Sequence, residues 1–278
     1  MIIDGHAHAC GEFVNTQRIL ETLDANGVHA VVLSPAEPGS ARTYWVPNLA
    51  RWLPRPVWMP PVNHLVRTTV RLRNMASMLE PGNEGVFCMH QQAPDRISQC
   101  YWLHTGVSDP LQHLDKAWKR MSFCMVKLHQ CWTPFDPAGS LVYDVAQWCA
   151  EHQLPLFAHL YAAKDVHAYF EVIRARPQTK FILAHCIDVR VIEQKTRVNN
   201  LFFDISPPDL VGIWQIQKAV NIVGTHHVLL GSDTPYGRHN LQRNIARVRS
   251  LGLSAVETDS LLGNNLVAVL AIQAGRHG

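Results

Sequence analysis

The chain has little that would tie it to a polyanion, a membrane or an oxidising compartment. Twenty-five lysines and arginines against 22 acids leave a formal charge of +3, too small to argue for nucleic acid or an anionic membrane surface. Charged residues are 17% of the 278, somewhat few, while the hydrophobic share of 47% is that of an ordinary soluble protein. No apolar run approaches the roughly 18 residues of a membrane span. No secretory leader is visible, because Ile2 and Ile3 run straight into Asp4. The seven cysteines (Cys10, Cys88, Cys100, Cys124, Cys131, Cys149, Cys186) are odd in number and never spaced C-x-x-C. That argues against a disulfide framework and against a zinc knuckle, and leaves most of them as small buried hydrophobes. A cytoplasmic protein is the expectation. No G-x-G-x-x-G or G-x-x-x-x-G-K-[ST] loop follows any strand pattern, which lowers a nucleotide-binding reading.

Histidine is abundant instead: sixteen residues, a hint of metal or acid–base chemistry. The chain opens on Ile3-Asp4-Gly5-His6-Ala7-His8. In a strand these alternate side chains share one face, and two imidazoles side by side can reach one cation. A short His-x-His also arises in a merely solvated strand.

The pattern then alternates. Asn15 can cap a helix that runs to Gly27, and 28–34 is a buried strand, so the chain starts with a βαβ unit and parallel strands. Residues 35–66 break the pattern. They are rich in proline, arginine and tryptophan (Arg42, Tyr44, Trp45, Arg51, Trp52, Arg55, Trp58), too long for an ordinary connection and too aromatic for free disorder. They read as an ordered insertion after the second strand. Helical spacing covers 66–78, and 81–96 is ambiguous. Strands follow at 97–103, 123–129, 154–159, 180–185, 200–205 and 227–233, with helices near 110–121, 138–152, 164–176, 189–195, 209–223, 241–251 and after Ser254. Eight strand–helix units in a chain of this size suit a (β/α)8 TIM barrel, one domain over 1–278 with the insertion inside it. A doubly wound open sheet is the alternative, since local pattern does not reveal closure.

His159, His185 and Asp233 each end an otherwise apolar strand, as do His6 and His8, and Lys127 lies late in the fourth. Alone, each has an ordinary structural role: a hydrogen-bonded strand-end histidine, an Asx-turn aspartate, a paired lysine. In a barrel these ends converge on one mouth, where active sites of this fold lie. Together they point to a metal site.

These segments resemble the amidohydrolase superfamily, in its amidohydrolase-related branch of metal-dependent TIM-barrel hydrolases. The matching stretches are Asp4-x-His6-x-His8, Val126-Lys127-Leu128-His129, Leu156-Phe157-Ala158-His159, Leu183-Ala184-His185, Gly231-Ser232-Asp233-Thr234-Pro235-Tyr236 and Gly263-Asn264-Asn265. The resemblance implies that His6, His8, His159 and Asp233 hold one divalent metal. It implies that His185 binds a second metal or the substrate, and that Lys127, if carboxylated, bridges two. Zinc suits three imidazoles and a carboxylate, as do Mn, Fe, Co and Ni. Asp4 is expected to orient a ligand from behind.

The expected chemistry is hydrolysis of an amide, cyclic amide, lactone or related ester. In it a metal acidifies water, Asp233 moves its proton, and His185 helps to stabilise the oxyanion. His129, His104, Tyr236 and Arg238 are expected substrate contacts. The arginines and tryptophans of 35–66 suit a lid over a small anionic or aromatic substrate, or equally a contact in a homodimer. The branch also holds non-oxidative decarboxylases and hydratases, so a lyase acting on an aromatic or unsaturated acid is the second reading. A non-catalytic metal-binding scaffold is the third.

Overall fold

The computed structural model describes residues 1–35, 56–193 and 198–270. Eight strands follow in chain order around one sheet: β1 Ile3–His8, β2 Ala30–Ser34, β3 Ile97–Trp102, β4 Met125–His129, β5 Leu156–His159, β6 Phe181–Leu183, β7 Leu201–Asp204 and β8 Val228–Leu229. Every neighbouring pair is parallel. β8 returns to β1 through Gly5 N–H on the Leu230 carbonyl at 2.9 Å and a parallel bridge between Ala7 and Thr234. This is the expected barrel.

The helices are α1 Thr16–Ala25, α2 Met59–Leu72, α3 Leu79–Gln92, α4 Pro110–Arg120, α5 Ser140–Glu151, α6 Ala163–Ala175, α7 Val189–Glu193, α8 Ile213–Val223, α9 Asn240–Arg249, α10 Ala255–Asp259 and α11 Asn265–Leu270. Alternate strand residues divide two cores. Val126, Leu128, Leu156, Ala158, Phe181, Leu183, Leu201 and Phe203 pack outward against the helices. Met125, Phe157, Ile182, Phe202 and Leu229 pack inside the barrel with Ile3, Val32 and Cys100. Leu266, Val269 and Leu270 of α11 join that inner cluster. Asn265 fastens α11 there, its amide donating to the carbonyls of Thr225 and Val228.

Several element ends differ from the sequence reading, each for a local reason. The helix expected over 66–78 is α2, starting earlier at Met59. It stops where Asn74 turns left-handed (φ 52°). The ambiguous 81–96 stretch is largely α3. Pro81 is its third residue, where the missing N–H costs no helical hydrogen bond. The helix expected from Asp209 starts at Ile213, because the Pro207 carbonyl takes the Leu210 and Val211 N–H groups into a tight turn. β6 stops at Leu183, and His185 lies in the following turn at φ 60°. Of the expected insertion, 36–55 lies outside the described residues, and from Pro56 the chain enters α2. No helix among the described residues is long and apolar enough to cross a membrane.

Candidate metal centre

The polar residues sit one pleat beyond the apolar inner cluster, at the C-terminal ends of the strands. His6, His8, Lys127, His129, His185, Asp204 and Asp233 are buried there, and His159 is partly exposed. The site can form because β8 stops short and its continuation crosses close to β7. A side chain at Gly231 would collide with the Asp204 carboxylate and lie 3.0 Å from His6 Cβ. The turn after Gly231 puts Asp233 in the left-handed region (φ 52°), which aspartate tolerates better than most residues. Its N–H donates to the His6 carbonyl at 2.7 Å, tying the aspartate to β1.

His6 Nε2, His8 Nε2 and Asp233 Oδ1 form the first group. Asp233 Oδ1 is 3.6 Å from His6 Nε2 and 3.4 Å from His8 Nε2, and all three atoms lie within 4.8 Å of one another. Their direction follows from the far side of each ring. His8 Nδ1 donates to the Pro35 carbonyl at 2.8 Å. His6 Nδ1 lies 3.1 Å from Ser206 Oγ and 3.3 Å from Asp204 Oδ2, both able to accept its proton. With Nδ1 protonated, each neutral ring turns its Nε2 lone pair inward, as a metal ligand must. Lys127 Nζ meets those lone pairs, 2.8 Å from His6 and 3.2 Å from His8. A cation already stands where the ring nitrogens converge, so the donor set fits a divalent ion.

His159 and His185 form a second group. His185 Nδ1 donates to the Ser206 carbonyl at 2.5 Å, and its Nε2 lies 3.0 Å from His159 Nδ1. Burial, above all, and Lys127 hold both rings below the usual histidine range. Both rings are therefore held neutral, with His185 carrying its proton on Nδ1 and its lone pair on Nε2. Two converging nitrogens that hold a proton poorly suit another cation. His159 stands apart from the first group: the expected four-ligand set arrives as three atoms plus a neighbouring imidazole pair.

His129, Cys131 and His159 also bring ligand atoms within 4.8 Å, but direction excludes them from sharing an ion. The two rings stack 3.9 Å apart at 16°, so their lone pairs lie in nearly parallel planes. His129 instead forms a wall with Trp102, stacked at 5.1 Å and 8°. Trp132 meets Trp102 edge-on.

Burial sets the remaining charges. Lys127 is lowered to about 8, chiefly by burial, with its ammonium over the rings of Trp102 and Phe157. Asp4 is raised to about 7 and Asp204 to about 8, again chiefly by burial. Asp4 accepts from Ser232 N at 2.8 Å and Ser232 Oγ at 2.6 Å, so it holds the residue before Asp233.

Of the expected substrate contacts, Tyr236 puts its ring edge on His8 at 5.3 Å, and His129 lies beside His159. His104 folds back on its own turn, its Nδ1 accepting from Gly106 N–H at 3.1 Å. Arg238 is exposed. The sequence reading missed Asp204, Ser206 and Asn63. Asp204 ends an apolar strand just as His159 does, so the rule that found one could have found the other. Asn63 carries no such signal: it reaches the site from α2, with Oδ1 3.1 Å from His159 Nε2.

A family profile described as amidohydrolase matches residues 80–270, more than half of the chain. No curated protein matches the sequence. Solved structures share the fold at low identity. A 4-oxalomesaconate hydratase from Rhodopseudomonas palustris is 16% identical, with a TM-score of 0.67 over 98% of this chain and 96% of that one. A 2,6-dihydroxybenzoate decarboxylase in complex with 2,6-dihydroxybenzoate is 10% identical, with a TM-score of 0.69 over 98% and 99%. A dihydroxybenzoic acid decarboxylase from Polaromonas sp. JS666, with bound manganese and 2-nitroresorcinol, is 12% identical, with a TM-score of 0.65 over 99% and 98%.

Proposed function

The chain belongs to the amidohydrolase family, and from that premise we propose that it is a metal-dependent hydrolase acting on an amide, cyclic amide, lactone or related ester of a small substrate. One observation carries the reading: His6, His8 and Asp233 converge three ligand atoms within 4.8 Å, with the outer nitrogen of each histidine already engaged. A divalent ion held there supplies acidified water and an electrophile for a carbonyl oxygen. His6, His8 and Asp233 would hold it, with His159 as a further ligand and His185 beside it. Zinc suits these donors, and Mn, Fe, Co and Ni share the preference. An ion held there would take the place of the Lys127 ammonium, which stands 2.8 Å from His6 Nε2.

The chain's own residues supply the rest. Asp233 takes the proton of the attacking water and returns it to the leaving group. His185 turns only Nε2 toward the pocket, because Nδ1 is held by the Ser206 carbonyl. In the neutral ring Nε2 is a lone pair, so His185 donates to the oxygen on which negative charge develops only after it has accepted a proton there. The walls of Trp102, Trp132 and Tyr236 suit a flat substrate, and the Lys127 ammonium suits an anionic one.

A lyase is the second reading, supported by the hydratase and decarboxylases among the structural likenesses. Incubation of metal-loaded protein with lactones, amides and aromatic acids in H2(18)O separates the two. The expected result is cleavage of an amide or lactone with 18O in the new carboxylate. Released CO2 with no water uptake, or 18O in a hydroxyl added across an uncleaved double bond, overturns hydrolysis in favour of the lyase. Turnover unaffected by a chelator sinks both.

A further inference from the structure

α2 reaches the centre through a buried side chain, Asn63, whose hydrogen bonds determine which nitrogen of His159 faces the pocket. Asn63 lies on α2 and is 3% exposed. Its Nδ2 donates to the Tyr161 carbonyl at 3.1 Å, and its Oδ1 lies 3.1 Å from His159 Nε2. Reversing the amide would set Oδ1 against the Tyr161 carbonyl, two acceptors face to face, so the assignment follows from the network. An amide oxygen can only accept. His159 Nε2 must therefore carry a proton, and in the neutral ring the lone pair is then on Nδ1, the atom facing His185 Nε2 at 3.0 Å.

The support behind Asn63 is fixed at further points. His64 Nδ1 meets the Tyr161 hydroxyl at 2.9 Å, and the Arg67 guanidinium lies over the Tyr161 ring. Tyr161 N–H donates to Gln130 Oε1 at 2.7 Å, joining the loop after β5 to the loop after β4. α2 is thus fastened to the loop that follows His159, and Asn63 keeps its place relative to that ring.

We propose that Asn63 is a positioning residue: it fixes the tautomer of His159, so that Nδ1 is the nitrogen offered to the metal centre. This rests on the reading of that centre as a metal site, but the tautomer can be read without a metal. An outer partner that sets a ligand histidine is worth about 10–100-fold in metal affinity.

Histidine labelled with 15N in the metal-free protein reports each tautomer through two-bond 1H–15N spectra at pH 8, with the His159→Gln spectrum identifying the His159 signals. The expected result is a proton on Nε2 in the parent chain. It is kept in Asn63→Asp, whose carboxylate still accepts, and lost in Asn63→Leu. Chelator competition should then show zinc held about 10–100-fold more weakly by Asn63→Leu and within roughly threefold of the parent by Asn63→Asp. A lone pair on Nε2 in the parent chain overturns the proposal, and that measurement needs no variant at position 63. Equal losses in Asn63→Asp and Asn63→Leu also overturn it, because they would reduce Asn63 to holding the Tyr161 carbonyl. A parent chain that binds no zinc yet keeps the Nε2 proton sinks the metal reading and sustains the tautomer assignment.

Discussion

The two ends of the barrel interior are built by the same strands and are chemically opposite. β4 contributes Met125 to the inner apolar cluster and Lys127 to the mouth, and β5 contributes Phe157 and then His159. β1 contributes Ile3 at one end and His6 and His8 at the other. In β4 and β5 one step of the strand period separates an apolar contact from a polar nitrogen. The lower end is held by dispersion and dehydration and is closed by α11. The upper end holds several buried ionisable groups that no apolar packing compensates. Stability is concentrated at one end and chemistry at the other.

The most severe way to probe that division is at the mouth. Asp233→Asn keeps the shape and removes the proton acceptor. It should lower kcat by about 10²–10⁴-fold and leave the urea midpoint of the metal-free protein nearly unchanged. A kcat within a few-fold of the parent would deny Asp233 its part. The converse change is Ile182→Ala, in the inner cluster. It should cost about 2–5 kcal/mol in urea unfolding, while zinc affinity, measured by chelator competition on the folded protein, stays within roughly twofold.

A pH titration of the metal-free protein sharpens the contrast. Burial lowers His6, His8, His129, His159 and His185. Below the ordinary value of 6.5 the unfolded chain therefore binds more protons at these sites, and stability falls as pH falls through 6.5. Asp4 and Asp204, raised to about 7 and 8, act in the opposite sense: the folded chain keeps protons that the unfolded chain has released. Five groups outweigh two. The urea midpoint should drop between pH 6.5 and 5, by at most about 1.4 kcal/mol per pH unit for each net proton. A flat or rising midpoint would contradict the burial of neutral histidines at the mouth. The smallest effect is expected from Asp204→Asn at pH 9, where the parent carboxyl is ionised, because the variant leaves an acceptor near His6 Nδ1 but removes the charge. Zinc should bind about 10-fold more weakly, measured by the same competition.

Much of this was legible in the residues. The parallel strands follow from apolar runs alternating with amphipathic helices. The mouth follows from runs such as Leu156-Phe157-Ala158-His159, whose last residue breaks the apolar pattern. Those signals are local, because strand periodicity and helix caps involve neighbours within a few residues. Asp204 obeys the same rule, closing its strand as His159 closes its own. Helix starts near prolines were misplaced where a backbone turn, as at Pro207, competed with side-chain capping.

The sequence by itself determined the alternating strands and helices and which strand ends carry ligand-capable side chains, since both are written in short-range pattern, while closure of the sheet into a barrel was tertiary. Tertiary structure alone decided the partners. Lys127 meets His6 across 121 residues, Asp204 meets His6 across 198, and Asn63 meets His159 across 96. It also decided that His159 Nδ1 and His185 Nε2 lie 3.0 Å apart. Which nitrogen a ring turns inward depends on the acceptor behind it. That acceptor is brought up by a different strand or helix, so no local spacing encodes it.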